Sequence, residues 1–441
     1  MRLLYLCHAH PSLQTGGTEI FARDLFRRLC REPGMRGLFL AGATGAQRPP
    51  VPGCALQAAD GAADEMLLWT GGFDSFFLSQ IDLHGVPPAL EQVLAELQPD
   101  VVHFHHLLTL GCELPAMVRR LAPRAAIVLT LHDYYPLCAH DGQMVTPAGA
   151  LCHAASLDAC RKCLPERSLT DFRLRRLHVE AALGVADMLV APSVFLRDRF
   201  VAAGVPAGRI RVLPNGVPAV PAAPHRQPPG RSGWGRSGWG PLGWPQAIRR
   251  DRFGFFGHLN RFKGATVALE ASASLSGAGV AHSLALHGGD DHQTEAFREQ
   301  LRARLAAAPD ARRCNAYARA DLPRLMAGVD WVLVPSVWWE NAPLVIQEAF
   351  RHRRPVICSD VGGMAEMVRD GIDGLHAPLG DPAGLAEVMR RAASEPGLWR
   401  RLVRGITPPP SIAQSASQHL ALYHELLAAG SRLTADMRTA A

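Results

Sequence analysis

Two glutamates eight positions apart, Glu340 and Glu348, stand in the segment best suited to chemistry. The apolar run 331–334 precedes them and predicts a buried strand, followed by a loop and a helix. Asn341 is a candidate cap for that helix, and Pro343 suits its first turn. We therefore expect Glu340 at the strand end and Glu348 inside the helix, about 7 Å further along. One carboxylate could contact a sugar while the other hydrogen-bonds a ribose.

The start of this predicted helix also suits an anion. N–H groups in a first helical turn lack acceptors within the helix, and the helix dipole favours negative charge beside them. The backbone of Ala342, Leu344 and Val345 could therefore hold a diphosphate. The simpler interpretation is a solvated loop charge at Glu340 and a helix-surface charge at Glu348, because two glutamates at this spacing are common.

Lys263 is the candidate cation for such a diphosphate. The chain has 46 basic residues, of which only Lys162 and Lys263 are lysines. A lysine kept against that bias suggests a specific role, and Lys263 follows the predicted strand 253–256. A cation fixed there could stabilise charge developing on a leaving group. A solvated surface charge is the alternative.

Two further candidates follow predicted strands of the first half. His132 closes the strand 126–131, and ligands of parallel α/β sheets bind at the carboxyl ends of strands. A purely structural histidine is the alternative. Gly16 and Gly17 follow the strand 3–7, where glycine allows close approach of the backbone to a ligand. An ordinary turn is the alternative here, since neither a dinucleotide-binding glycine fingerprint nor a Walker A motif is present.

A cluster of cysteines directly follows the candidate histidine. Four thiolates can bind a structural zinc ion, although this spacing is looser than that of a zinc ribbon. Reduced structural thiols are the simpler interpretation, and the scattered remainder of the ten cysteines favours a reducing compartment. The candidate zinc ligands are Cys138, Cys152, Cys160 and Cys163, with His140 and His153 as alternatives.

Alternating strands and helices must position these residues. Such alternation predicts parallel sheets covered by helices on both faces. Further strands are predicted at 101–104, 188–191, 210–213, 283–287 and 355–358. Helices are predicted at 18–29, 90–97, 114–121, 174–183, 265–275, 294–308, 322–327, 344–351, 385–393 and 413–427. The expected fold is two doubly wound, Rossmann-like α/β domains that face each other across a cleft.

A chain of 441 residues exceeds one hydrophobic core. We predict an N-terminal domain at 1–217, a linker or insertion at 218–250, a C-terminal domain at 251–407, and a helix and tail at 408–441 that packs back on the first domain. The segment 218–250 is rich in Pro, Gly and Trp, a composition that does not favour a packed core. Its tryptophans, which could instead contact a partner or a membrane, are Trp234, Trp239 and Trp244.

The composition and net charge limit the classes of function that this protein can have. The hydrophobic content of 48% and charged content of 20% are typical of a globular protein. The net charge of +6 is compatible with an anionic substrate or a weak membrane contact, and we expect no nucleic acid partner. No apolar run approaches the roughly 18 residues of a membrane span, and the apolar start fits a buried strand better than a signal peptide. We therefore expect a cytoplasmic protein.

Taken together, these motifs resemble glycosyltransferase family 4, a group of retaining enzymes with the two-domain GT-B fold. Glu340 and Glu348 match the Glu-x7-Glu motif of that family. The resemblance covers most of residues 1–400, apart from 218–250. Smaller matches in the family's order are Ala191-Pro192-Ser193, Pro214-Asn215-Gly216-Val217, Pro335-Ser336, Glu348-Ala349, Pro355-Val356, Gly362-Gly363, Glu366, Asp370-Gly371 and Gly374.

The resemblance implies roles for the other candidates. The glycine pair after the first strand matches a loop near the donor phosphates, and His132 matches a histidine that contacts the transferred sugar. The family usually has an arginine and a lysine, about five positions apart, on the leaving diphosphate. Lys263 matches that lysine, but His258 stands where the arginine often stands. Either Arg261 or a protonated His258 is then the second phosphate contact.

The function implied is retaining transfer of a sugar from a UDP- or GDP-sugar to a glycan or lipid-linked acceptor, in bacterial polysaccharide or glycoconjugate synthesis. Family members usually need no metal, so we expect no required cofactor, and peripheral attachment to the inner membrane is compatible with lipid-linked acceptors. Two alternatives remain. A sugar-nucleotide epimerase or hydrolase would need a second acid/base pair, which is not evident. A catalytically weak nucleotide-sugar-binding protein is kept open by His258.

Overall fold

The computed structural model describes residues 1–49, 51–59, 61–226, 248–291 and 293–439, without the side chains of 431–439. Most of the predicted Pro/Gly/Trp-rich segment, including its three tryptophans, lies outside these residues. The chain divides into two compact units. Unit 1 comprises Met1–Pro218 and Pro410–Ala441, and unit 2 comprises Ala219–Pro409.

Unit 1 is built on an eight-stranded sheet with a separate two-stranded hairpin, β5–β6. Its strands are β1 (Arg2–Cys7), β2 (Arg36–Ala43), β3 (Leu56–Ala58), β4 (Glu65–Trp69), β5 (Phe73–Asp74), β6 (Ser79–Gln80), β7 (Val101–Phe104), β8 (Ala126–Thr130), β9 (Met188–Ala191) and β10 (Ile210–Val212). The sheet order is β10-β9-β8-β7-β1-β2-β4-β3. All pairs are parallel except β3 with β4.

Helices lie in the connections between these parallel strands, except between β2 and β4, because parallel neighbours are usually joined by a helical crossover. They are α1 (Gly17–Leu29), α2 (Val86–Leu97), α3 (Glu113–Leu121), α4 (Leu157–Cys163), α5 (Leu169–Val185) and α6 (Val194–Ala202), with a 3₁₀ turn at Ala207–Arg209. The start of α5 is fixed by a capping box, in which Ser168 and Asp171 bond each other's backbone N–H.

Unit 2 has a six-stranded, fully parallel sheet in the order β13-β12-β11-β14-β15-β16. Its strands are β11 (Arg252–Phe256), β12 (Ser283–His287), β13 (Ala311–Cys314), β14 (Trp331–Val334), β15 (Val356–Ser359) and β16 (Gly374–Ala377). Its helices are α7 (Ala265–Gly277), α8 (Glu295–Ala306), α9 (Leu322–Ala327), α10 (Leu344–Arg351), α11 (Gly362–Met367), α12 (Pro382–Ser394) and α13 (Leu398–Gly405), with a 3₁₀ turn at Arg319–Asp321. The predicted fold class, two Rossmann-like parallel-sheet units, is confirmed.

The central strands of both sheets are apolar because helices cover both faces. Every residue of β14 is buried, and so is β1 beyond its first residue. Trp331 is fully buried, and its indole N–H donates to the Arg250 carbonyl oxygen at 2.7 Å. That bond satisfies the one polar group of a large core side chain.

The last helix, α14 (Ile412–Thr439), belongs to unit 1. The Tyr423 hydroxyl bonds the Tyr5 hydroxyl and lies 2.7 Å from His103 Nδ1, all three side chains being buried. The backbone N–H of Ile412 donates to the Val217 carbonyl oxygen at 2.9 Å. The chain thus crosses out of unit 1 near residue 218 and returns to it at residue 410. No helix in the described parts of the chain has the length and apolar character to span a membrane.

The flanks of the predicted linker are packed rather than loose. Residues 219–226 and 248–250 belong to unit 2. The buried Arg354 guanidinium donates to the carbonyl oxygens of Ala223 and Pro224, and His352 Nδ1 accepts the Ala223 N–H at 3.0 Å. A buried guanidinium needs acceptors, and residues of this segment supply two of them.

Candidate functional site

Two loops of unit 2 meet at the carboxyl edge of its sheet. Strands β11 and β14 are parallel neighbours, so the loops that follow them emerge side by side. The Val337 N–H donates to the Phe262 carbonyl oxygen at 2.8 Å. Gly264 has φ +73°, and a Cβ there would lie 1.8 Å from the Pro335 carbonyl oxygen. Only glycine permits this contact, which brings the lysine loop against the glutamate loop.

Lys263 and Glu340 form an ion pair at this junction. Lys263 Nζ lies 2.7 Å from Glu340 Oε1, and the same oxygen accepts from Ser336 Oγ at 2.8 Å and Trp338 Nε1 at 2.9 Å. Burial alone would raise the pKa of Glu340, which is 6% exposed. The Lys263 charge and the three hydrogen bonds outweigh burial and lower that pKa. Glu340 is therefore an ionised carboxylate in a fixed orientation.

The lysine is held from its own loop and from an aromatic ring. Asn260 Oδ1 accepts the backbone N–H groups of Phe262 and Lys263, at 3.0 and 2.9 Å. The ammonium lies 5.7 Å from the centroid of the Trp338 ring, within reach of a cation–π attraction. The Lys263 side chain is 32% exposed, whereas that of Glu340 is 7% exposed. A ligand can therefore reach the ammonium.

The loop after Glu340 reaches its helix differently from the prediction. Helix α10 begins at Leu344, and Pro343 occupies the cap position without a side-chain cap. The cap predicted at Asn341 is wrong, because the extended Pro343 (φ −63°, ψ 118°) already supplies the first carbonyl acceptor, to Ile346 N–H. Asn341 is thus two positions outside the cap, and Pro343 is at the cap rather than in the first turn.

The predicted anion donors remain at the helix start. Leu344 and Val345 supply the first two N–H groups of α10, which have no acceptor within the helix. Ala342 lies in the preceding loop. The Gly363 N–H donates to the Glu340 carbonyl oxygen at 2.7 Å, and a Cβ on Gly363 would meet the Asn341 carbonyl oxygen at 1.7 Å. The loop is thereby pinned to the start of α11.

Glu348 lies inside α10, as predicted, but is not a solvated surface charge. Its side chain is 18% exposed, and Oε1 lies 4.0 Å from Arg319 Nε. Burial raises the pKa of the Tyr317 hydroxyl, and the charge of Glu348 raises it further. The sequence did not indicate Arg319 or Tyr317, which come from the segment between β13 and α9.

The two candidates for the second phosphate contact are both exposed on the lysine loop. The Arg261 guanidinium carbon lies 4.4 Å from the centroid of the Phe262 ring. That ring lies 5.5 Å from the Trp338 ring. The Phe262 and Trp338 rings thus link Arg261 to the Lys263–Glu340 pair. His258 lies nearer the start of the same loop.

In unit 1, His132 lies directly after β8 and is neutral. Its Nε2 lies 3.1 Å from His105 Nδ1. Burial, and then the charge of His106, lower the pKa of His132 to about 3. The adjoining Asp133 accepts from His106 Nε2 at 2.7 Å and from the Tyr135 N–H at 2.9 Å.

The glycine pair starts α1 beside a buried ion pair. Gly16 is the extended cap residue, and a Cβ on it would lie 2.5 Å from Glu19 Oε2. Helix α1 begins at Gly17. Glu19 Oε1 lies 3.0 Å from His8 Nε2. Burial would lower the pKa of His8, but hydrogen bonds with Cys7 and Glu19 raise it to about 9.

Several histidines around His132 were missed from the sequence. His103 Nε2 lies 2.7 Å from Thr130 Oγ1, and the rings of His103 and His105 are 4.1 Å apart. The signal was available, since Val-His-Phe-His-His ends a predicted strand next to β8. The cluster comprises His8, His103, His105, His106, His132 and His419.

The four cysteines are free thiols and do not form the predicted zinc site. Within the residues that the structure describes, no three His, Cys, Asp or Glu side chains are arranged to hold a metal ion. Burial raises the pKa of the Cys160 thiol, and the charges of Cys138, Cys152 and Cys163 raise it further. The thiols are thus neighbours without the geometry of coordination in this structure.

Solved structures with the same fold cover nearly the whole chain. A sucrose-phosphate synthase from Thermosynechococcus elongatus superposes with a TM-score of 0.68 and 19% identity, over 97% of this chain and 100% of that one. Anabaena HepE in complex with UDP and glucose superposes with a TM-score of 0.65 and 18% identity, over 96% and 99% of the two chains. At such identities these likenesses establish the fold.

Curated relatives match shorter segments. A D-inositol 3-phosphate glycosyltransferase of Streptomyces bingchenggensis is 40% identical over 81 residues, 17% of this chain and 18% of the relative. An alpha-D-kanosaminyltransferase of Streptomyces kanamyceticus is 27% identical over 109 residues, 24% of this chain and 28% of the relative. The matched segments therefore span less than a third of these relatives.

Family models match both units. The model described as "Glycosyltransferase Family 4" matches residues 15–221, which include the glycine pair and His132. The model described as "Glycosyl transferases group 1" matches residues 250–395, which include the Lys263–Glu340 pair and Glu348. With the GT-B fold of its structural neighbours, this chain belongs to glycosyltransferase family 4.

Proposed function

We propose that this protein is a retaining glycosyltransferase that moves a sugar from a UDP- or GDP-sugar to a glycan or lipid-linked acceptor. The observation that carries the proposal is the Lys263–Glu340 pair at the carboxyl edge of the unit 2 sheet. It places a reachable cation beside an ionised carboxylate, close to the first N–H groups of a helix. A nucleotide diphosphate sugar offers a diphosphate for the former and sugar hydroxyls for the latter.

The different parts of the donor would bind different groups of the site, according to their charge. The Lys263 ammonium and the N–H groups of Leu344 and Val345 favour the diphosphate, whose negative charge grows as the sugar leaves. All three donors to Glu340 converge on Oε1, and in the described part of the chain Oε2 accepts no hydrogen bond. Oε2 is therefore available to a sugar hydroxyl. Glu348, further inside α10, is the proposed ribose contact.

The groups of unit 1 suit the transferred sugar and the acceptor. With a pKa of about 3, His132 is neutral near pH 7 and can hydrogen-bond a sugar hydroxyl without adding charge. The glycine loop is the proposed neighbour of the donor phosphates. In the step itself the acceptor oxygen bonds to the anomeric carbon, the bond to the diphosphate breaks, and the departing diphosphate oxygen takes the acceptor proton. No protein nucleophile is needed in this scheme.

Relatives support the donor class. Structures of Anabaena HepE contain UDP and UDP-glucose, and both curated relatives are named as sugar transferases. We extend the proposal to bacterial polysaccharide or glycoconjugate synthesis at the cytoplasmic face of the inner membrane, with no cofactor beyond the donor.

The test is release of nucleotide diphosphate from candidate donors with and without oligosaccharide or lipid-linked acceptors. Acceptor-dependent release supports transfer, release without acceptor indicates a hydrolase, and binding without release indicates a weak nucleotide-sugar-binding protein. Lys263→Ala and Glu340→Ala should each lower turnover at least about 100-fold, the scale of one lost transition-state contact. The matched control is Lys162→Ala, which removes the other lysine of the chain, an exposed residue of α4. Near-normal turnover in the Lys263 or Glu340 variant would refute its role.

A further inference from the structure

A cavity of about 500 Å³ lies within unit 1, between α5, the end of α6 and the cysteine-containing segment 136–160. Its volume falls in the range of small-molecule sites, roughly 300–1,000 Å³. Apart from Arg175, the buried side is aliphatic with one aromatic ring, and the open side carries small residues. The buried residues include Phe172, Val179, Leu183 and Leu189, and the rim includes Ala202 and Ala203.

The charges around this apolar cavity are unbalanced. Arg175, Arg176 and Arg209 line it, against one carboxylate, Glu180. Arg176 Nε lies 2.8 Å from Glu180 Oε1, so this exposed pair is neutral as a whole. Two guanidinium groups are then left without a carboxylate among the lining residues.

These two cations are held by backbone carbonyl groups. The Arg175 guanidinium is 4% exposed and donates to the carbonyl oxygens of Phe76 at 2.6 Å, Pro136 at 3.2 Å and Tyr135. It forms no ion pair with any residue that the structure describes. Arg209 donates to carbonyl oxygens at the end of α5. A cation buried without a counter-charge is costly, which favours an anion nearby.

We propose that this cavity binds an amphiphile, a molecule with an aliphatic chain and one anionic group. The aliphatic lining suits an aliphatic chain, because removing the apolar surface of both from water is favourable. The surplus of two guanidinium groups suits a carboxylate or phosphate at the end of that chain.

One residue connects this cavity with the candidate site of unit 1. Pro136 lines both the cavity and a small pocket around His132 and Asp133. Under the proposed function, the occupant is the chain-bearing part of the acceptor. That identification rests on the proposed function, whereas binding of an amphiphile does not.

Calorimetry on the full chain, without donor, tests the binding. The probes are decyl phosphate, decyl maltoside and inorganic phosphate, each amphiphile below the concentration at which it forms micelles. We expect decyl phosphate to bind one site at least about tenfold more tightly than decyl maltoside, because a charge-assisted contact exceeds a neutral one. Inorganic phosphate lacks the chain, so any binding that it shows should be weaker than that of decyl phosphate and unaffected by changes in the cavity.

Variants locate that binding in the cavity. Ala203→Trp fills the rim and should weaken decyl phosphate at least about tenfold, because it occupies the volume that the chain requires. The matched control, Ala181→Trp, lies on the exposed face of α5 outside the cavity lining and should bind normally. Glu180→Gln removes the carboxylate and should tighten decyl phosphate about threefold, the scale of an exposed charge pair, without changing decyl maltoside.

Three results would overturn the proposal: equal affinity for both amphiphiles, binding of inorganic phosphate as tight as that of decyl phosphate, or normal binding of decyl phosphate by Ala203→Trp. The result is separable from the proposed function. If no acceptor supports release of nucleotide diphosphate but the binding pattern holds, the cavity proposal stands and only its link to the acceptor falls. If transfer occurs with the same KM for acceptors with and without a chain, and the binding pattern fails, the cavity proposal falls alone.

Discussion

Replacing Lys263 with methionine should expose how much Glu340 depends on it. The carboxylate would stay buried, with Ser336 and Trp338 as its remaining side-chain donors. Breaking a fully buried ion pair from one side costs about 3–5 kcal/mol. Here the lysine side chain is 32% exposed and solvent screens the pair in part. We therefore expect a loss of about 2 kcal/mol in the free energy of unfolding of unit 2 at pH 7.

The sign of the pH dependence identifies the cause. In the natural protein the pKa of Glu340 is lower folded than unfolded, so its ionised form stabilises the fold above the unfolded pKa of about 4.3. This contribution disappears as the pH falls through the folded pKa. In Lys263→Met, the lysine charge no longer opposes the effect of burial on the Glu340 carboxyl. We therefore expect the pKa of Glu340 in the folded state to rise. The difference in stability between the two proteins should be largest near pH 7 and shrink towards pH 4.

Urea unfolding followed by tryptophan fluorescence measures this difference at each pH. Among the described residues, unit 2 holds four tryptophans and unit 1 holds one, so the signal mainly follows unit 2. They are Trp331, Trp338, Trp339 and Trp399 in unit 2, and Trp69 in unit 1. The double variant Lys263→Met/Glu340→Gln removes the charge left behind and should recover most of the loss. Equal stability of natural protein and single variant at pH 7, or a loss that does not shrink at lower pH, would refute the reasoning.

Two further predictions test contacts around the candidate residues, the first with a matched control. Gly264→Ala should cost more than about 2 kcal/mol, because it combines a left-handed φ with a clash at the Pro335 carbonyl; Gly279→Ala, with φ +69° and open space around the Cβ, should cost about 1 kcal/mol in the same urea assay. Glu19→Gln should lower the pKa of His8 from about 9, as measured by NMR titration. Because a raised histidine pKa stabilises the fold fully below about pH 6.5, the loss of stability in this variant should fade as the pH rises through 9, and a pH-independent loss would contradict the ion pair.

The fold was predictable where parallel strands are continuously apolar and fully buried, as in β14. It was not predictable at the edge of the unit 1 sheet that is formed by β2, β4 and β3. The strand β4 begins with Glu65, which is 1% exposed and held by Arg23 and Arg27 from α1 and by His10. A charge at a strand start looks like a loop in sequence, because its compensation comes from residues about 40 to 55 positions away.

The candidate site was likewise predictable only in part. Spacing and composition sufficed to select Glu340 and Lys263, because each lies in the loop that follows a recognisable strand, β14 and β11 respectively. Ser336 was noted only as a family match and Trp338 was not selected, since a hydrogen bond to one carboxylate oxygen depends on the path of the loop. The Asn341 cap failed for a related reason. The Gly363 N–H hydrogen-bonds the loop to the start of α11. The conformation of the loop residues is therefore determined by that contact as well as by α10.

Almost all basic residues of this chain are arginines, so the lysine at position 263 needs a physical explanation. A guanidinium is broad and planar and binds best through two parallel hydrogen bonds, whereas an ammonium is a compact point charge. At this junction one carboxylate oxygen already accepts from a hydroxyl and an indole N–H, and the cation must fit beside them and near the Trp338 ring. A compact ammonium fits that place while part of the side chain stays exposed to solvent. Arg261, in the same loop, lies instead over the Phe262 ring, where a planar cation can stack on an aromatic face.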